Sequence, residues 1–172
     1  MIIGITGMSG SGKNFYSELF CKINPSLKHI DIDEVGHKVL AEDDIAAQLV
    51  LAFGNDIITN GIVDRKKLGN IVFNNREKYS ELCKITWDRM KMYIDEEIRL
   101  SKDNCILNWI LLPQVDYFKM CSLKILVKRN TADRYSGIIL RDNITIEKVK
   151  ERDGASIKYN EEDFDIIIGD SV

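Results

Sequence analysis

Five short apolar runs punctuate the chain, at Ile2–Ile5, His29–Ile32, Cys105–Leu112, Leu123–Val127 and Phe164–Ile168, with longer helix-like stretches between them. Runs of this length predict buried strands, and their alternation with helices predicts a parallel sheet covered on both faces. Asn14–Ile23 carries Phe15, Leu19, Phe20 and Ile23 at helical spacing, and Pro25 follows to end the helix. Asn75–Leu100 is heavily charged, yet Tyr79, Leu82, Met90, Ile94 and Ile98 recur at intervals of one helical face, which predicts a long surface helix. The segment from Asp33 to about Leu100 is long for a crossover and predicts a helical subdomain inserted between strands.

The chain has 172 residues, 45% of them apolar, enough for one good core and too few for two ordinary domains. It has no repeat, low-complexity tract or Pro/Ser-rich linker, so residues 1–172 read as one domain. A formal charge of −3, with basic residues dispersed among acids, disfavours nucleic acid and anionic membranes as partners. Any phosphate binding must therefore be local. Cys21, Cys83, Cys105 and Cys121 show no metal-ligand or redox spacing and read as reduced, mostly buried thiols. The start, Met1-Ile2-Ile3-Gly4-Ile5-Thr6, lacks the basic residues and long apolar stretch of a signal peptide, and no run approaches a membrane span. A cytoplasmic location is expected.

The local phosphate site is Gly7-Met8-Ser9-Gly10-Ser11-Gly12-Lys13, a G-x-x-x-x-G-K pattern between a predicted strand and a predicted helix. Glycines let the backbone wrap a phosphate with its amides inward, and the helix adds free N–H groups and a positive dipole end. Lys13 supplies a mobile cation for the β- and γ-phosphates. The next residue is Asn14, where the usual pattern has a Ser or Thr hydroxyl on Mg²⁺. Its amide oxygen is a hard donor on a longer arm, so nucleotide binding is expected to survive the change better than fast catalysis. Asp31 and Asp33 close the second predicted strand, where alternation puts both carboxylates on one side. Each could accept a proton from an attacking hydroxyl, ligate Mg²⁺ or cap the helix that begins near Glu34.

Four segments together resemble the dephospho-coenzyme A kinases, a P-loop kinase family, in order and approximate spacing. They are Gly4–Lys13, Asp31–Val39, Phe53-Gly54 with Gly61–Leu68, and Arg141-Asp142. The resemblance implies a three-layer α/β/α fold with a parallel five-stranded sheet, a core at about 1–32 and 104–172, an acceptor-binding insertion at about 33–103, and a lid at about 131–150. It implies transfer of the γ-phosphoryl group of ATP, with Mg²⁺, to the ribose 3′-hydroxyl of dephospho-coenzyme A. Gly7 through Asn14 and Arg141 would then hold the nucleotide, and Asn14 and Asp31 the metal. Lys13 and Asp33 would be catalytic, Asp33 as the base. Arg65 would hold the acceptor, although it also reads as a solvated charge beside Lys66 and Lys67. His37 reads either as an acceptor contact or as an ordinary helix-surface histidine.

Departures fall on functional positions. Trp87-Asp88 replaces the family's His-Pro, while Asn108 and Gln114 stand where acids are usual. Gly137 aligns with the lid arginine that neutralises the transferring phosphoryl group; Arg134, one turn earlier, is the expected substitute. The family's last strand is matched by Phe164-Asp165-Ile166-Ile167-Ile168-Gly169-Asp170, after which the given sequence stops at Val172. A monomer or weak homo-oligomer is expected. Two other functions fit the same residues: a nucleoside or deoxynucleoside monophosphate kinase, and a degenerate relative that binds nucleotide without turnover.

Overall fold

A computed structural model describes residues 1–72, 75–154 and 156–169; Asp170 and Val172 lie outside the described residues. In chain order the elements are β1 (Ile2–Thr6), α1 (Lys13–Ile23), β2 (Lys28–Asp31), α2 (Ile32–Leu40), α3 (Asp43–Phe53), β3 (Ile58–Thr59), β4 (Ile62–Val63), α4 (Arg65–Val72) and α5 (Arg76–Leu100). Then follow β5 (Cys105–Asn108), α6 (Tyr117–Met120), β6 (Leu123–Val127), α7 (Thr131–Asp142), α8 (Ile146–Gly154) and β7 (Ile166–Ile168). They divide into two units, Met1–Asp31 with Ile98–Val172, and Ile32–Glu97.

The first unit is built on a five-stranded sheet of order β2-β5-β1-β6-β7, with every pairing parallel. All residues of β1 and β5 are buried, which is why both read as continuous apolar runs rather than alternating ones. Ile3, Ile5, Ile106, Ile125 and Val127 form a core with Leu27, against which Tyr16 and Phe20 of α1 pack. Burying a side chain such as Ile5 completely stabilises the fold by roughly 2–3 kcal/mol. β7 is one of the two edge strands, and Ile166 and Ile167 are exposed on it.

The second unit has its own core, made by Val39, Ile45, Leu49, Ile57, Leu68 and Val72. Its β3–β4 hairpin turns at Asn60 and Gly61, whose φ values of 52° and 82° are those of the tight turn that an Asn-Gly pair favours. Asp64 caps α4 by accepting from the amides of Lys66 and Lys67 at 2.9 and 3.2 Å.

Five strand ends differ from the sequence reading: β1 runs one residue further, to Thr6, β2 begins one residue earlier, at Lys28, and three others shift as follows. β2 stops at Asp31 because Ile32 opens α2, so Asp31 and Asp33 do not share a strand and alternation does not put them on one side. β5 stops at Asn108; the chain then turns, and Pro113, which lacks an N–H, sits in a one-turn helix at Leu112–Gln114. The last strand starts at Ile166, after a similar turn at Glu161–Asp163. No helix among the described residues is long and apolar enough to cross a membrane.

All four cysteines are free thiols, with Cys105 and Cys121 buried and Cys21 and Cys83 half-buried. Burial pushes the Cys121 thiol from 9.0 to about 12, and the Tyr159 phenol from 10.0 to about 12. A raised acid is neutral in the folded state, so its stabilisation is complete below the ordinary value and is lost as the pH climbs towards the folded one. Urea midpoints are therefore expected to hold between about pH 7 and 8 and to fall steadily from about pH 9 upward. Cys121 is expected to resist iodoacetamide at about pH 8 in the native protein and to react once urea unfolds it.

Candidate active site

The loop between β1 and α1 lies at the carboxyl edge of the sheet, and its shape is forced by its neighbours. A Cβ at Gly7 would stand 2.2 Å from the Val127 carbonyl oxygen at the end of β6 and 2.6 Å from Ser11 Oγ. Only glycine fits there. Gly10 adopts φ 76°, and a Cβ on it would press to 3.0 Å from Ile138 of α7. The Ser11 amide closes the turn on the Met8 carbonyl at 3.1 Å, while the Ser11 hydroxyl is buried without a partner among the described residues. Lys13 is the first residue of α1, so its side chain leaves from the positive end of the helix. Beside the loop is a cavity of about 420 Å³, lined in part by Met8, Ser11, Val127, Thr131, Arg134 and Tyr159. Such a site, with backbone amides, cations and apolar side chains at its wall, suits a polyanion with a partly apolar group attached.

On the other side of the loop, three amide and acid side chains are joined. Asn108 Nδ2 donates to Asn14 Oδ1 at 3.0 Å, and Asn14 Nδ2 donates to Asp31 Oδ2 at 3.1 Å. Sheet register explains the contact, because Asp31 pairs with Asn108 and Asn108 pairs with Ile5 of β1. His29 Nε2 lies 3.2 Å from Asn108 Nδ2. Burial pushes the His29 imidazole below its ordinary 6.5, although the Asp31 and Glu18 carboxylates act upward. Asn108 Oδ1 is buried and has no donor among the described residues.

Arg134 lies on α7 beside the loop, and its guanidinium is already used. It is 6% exposed, forms a two-pronged ion pair with Asp153 of α8, and donates from Nη1 to the Ser9 carbonyl at 2.8 Å. The expected substitution for an arginine at Gly137 is thereby corrected. Three residues along a helix leave a 60° offset, enough to bury Arg134 while Gly137 is exposed. Arg134 thus lines the cavity with a guanidinium that is committed to bracing the phosphate loop through Ser9 and Asp153.

Arg141 is exposed and grips its neighbour Asp142 at 2.7 and 3.2 Å; Asp142 also accepts from Arg152 at 2.9 Å. In the second unit, Asp33 is exposed in the first turn of α2, and Arg65 is exposed as the first residue of α4, just after the Asp64 cap. His37 is exposed too, with Glu34 3.5 Å away. His29, Tyr159 and Asp153 were missed in the sequence. Strand alternation could have linked His29 to Asp31, whereas nothing in the spacing connects Asp153 to Arg134.

The family model for dephospho-CoA kinase matches residues 1–165. The chain is 31% identical over 149 residues to the dephospho-CoA kinase of Fusobacterium nucleatum, covering 86% of this chain and 76% of that one. It is 33% identical over 160 residues to the dephospho-CoA kinase of Geobacillus kaustophilus, covering 90% and 73%. A crystal structure of a Thermus thermophilus protein superimposes over 100% of this chain and 89% of its own, with TM-score 0.84 and 22% identity. A dephospho-CoA kinase structure from Campylobacter jejuni covers 99% and 88%, with TM-score 0.68 and 23% identity. These two likenesses show the three-layer α/β fold.

Removing the Asp153 carboxylate would strand a buried guanidinium. Asp153→Ala is expected to destabilise the protein by roughly 3 kcal/mol in urea unfolding. ATP affinity, followed by calorimetry below the unfolding transition, is expected to fall with it as Ser9 loses its brace.

Proposed function

Because the chain belongs to the dephospho-CoA kinase family, we propose that it phosphorylates the ribose 3′-hydroxyl of dephospho-coenzyme A with ATP, giving coenzyme A and ADP. The observation that carries this reading is the intact phosphate loop, Gly7 to Lys13, inside a family match that runs through residue 165. In the reaction a bond forms from the 3′-oxygen to the γ-phosphorus, the bond to the bridging oxygen breaks, and ADP leaves. Loop amides and Lys13 hold the β- and γ-phosphates, where charge gathers during transfer. Asp33 receives the proton of the 3′-hydroxyl, and Arg65 holds the acceptor's own anionic groups.

When bound, Mg²⁺ would offset the negative charge of the phosphates. Asp31 offers it one carboxylate, which suits a cation that keeps most of its ligands as water and phosphate. Asn14 now turns its N–H₂ towards Asp31. Turning the Asn14 and Asn108 amides over would set Asn14 Oδ1 beside Asp31, and the orphaned Asn108 Oδ1 would gain Asn14 Nδ2 as a donor. The donor set therefore fits a hard cation, with one charge fewer than a site that has an acid at position 108.

Purified protein incubated with ATP and dephospho-coenzyme A is expected to form ADP and coenzyme A in equal amounts, and nucleoside monophosphates are expected to give little ADP. Asp33→Asn is expected to lower kcat by about 10²-fold or more while the ATP Kd stays within about twofold. Tight ATP binding with no product from any acceptor would instead mark a degenerate relative.

A further inference from the structure

Position 137 is a glycine on the exposed side of α7, and a Cβ built there would lie 4.0 Å from Arg129 Nη1. The Arg129 guanidinium therefore lies close to position 137, where an alanine methyl would just meet it and a longer side chain would compete for that space. Arg129 follows β6 by two residues at the carboxyl edge of the sheet, and it lines the cavity beside the phosphate loop with Met8 and Ser11. Lys158 lines the same cavity, while two other cations there are committed elsewhere. Lys128 Nζ donates to Glu161 at 2.8 Å, and Arg134 is held by Asp153 and the Ser9 carbonyl. No hydrogen bond or ion pair joins Arg129 to a described residue.

We infer that Arg129 is a nucleotide-contacting residue that binds the terminal phosphate of a bound nucleoside triphosphate and offsets its charge during transfer, with Gly137 as the gap that admits its guanidinium. An arginine presents a planar fork matched to phosphate oxygens, and one with no partner loses no internal ion pair on meeting them. The cation is thus supplied from the strand end rather than from the helix. Its part in transfer rests on the kinase reading above, whereas its part in binding does not.

The test measures ATP and ADP dissociation constants by calorimetry, with kcat and KM alongside, in the full chain and in Arg129→Gln, Arg129→Lys and the double variant Arg129→Gln/Gly137→Arg. Arg129 is exposed, and an unchanged thermal midpoint will show that each variant is folded. Arg129→Gln is expected to weaken ATP about tenfold and ADP by less than about twofold, and to lower kcat about 100-fold. Arg129→Lys is expected to fall between, and an arginine at 137 to restore part of the loss. ATP and ADP affinities unchanged in Arg129→Gln would overturn the inference, whatever the turnover. A parent protein that makes no coenzyme A, alongside an Arg129→Gln variant that loses ATP over ADP, would remove the reaction assigned above and leave the phosphate contact standing.

Discussion

Everything at the candidate site follows from the parallel packing of β1 between β5 and β6. Parallel strands deliver their carboxyl ends to one edge, and here that edge gathers the phosphate loop after β1, Asp31 at the end of β2, Asn108 at the end of β5 and the 128–129 corner after β6. The strands are so close that the Val127 carbonyl touches the space where a Cβ at position 7 would be. A loop starting from that point must begin with glycine, and its amides are then aimed by the backbone rather than by any side chain.

The loop is held from two directions by different chemistry. Behind it, the Arg134–Asp153 pair links α7 and α8 to the Ser9 carbonyl, and Ile138 packs against Gly10. A buried pair of this kind is costly to break because the surviving charge has no water to turn to. In front, Asn108, Asn14 and Asp31 form a chain of neutral amides ending on one carboxylate. Amides hold position without adding charge, so the polyphosphate meets a site less acidic than one built from carboxylates, and the protein contributes less to gripping a cation.

This division of labour gives the departures from the family pattern a common logic. The arginine missing at 137 and the acids missing at 108 and 114 alter charge at the site, yet none of them alters the backbone that forms it. Backbone geometry is fixed by strand register and glycine, and both are intact. Gln114 lies in the one-turn helix after β5 and is exposed, so its change from an acid touches the surface rather than the amide chain.

Much of the fold was legible in the residues. Continuous apolar runs marked the central strands β1 and β5 because strands covered on both faces have no polar side to show, and the G-x-x-x-x-G-K pattern marked the loop because only glycine tolerates its crowding. Family resemblance supplied the reaction. Tertiary structure alone decided what the charged side chains are doing, since long, flexible arms can reach partners far along the chain. Arg134 lies among polar residues in the sequence, and only the packing of α8 onto α7 pairs it with Asp153. The break between Asp31 and Asp33 was also invisible, because Ile32 suits a strand end as well as a helix start, and it is the helix that buries it.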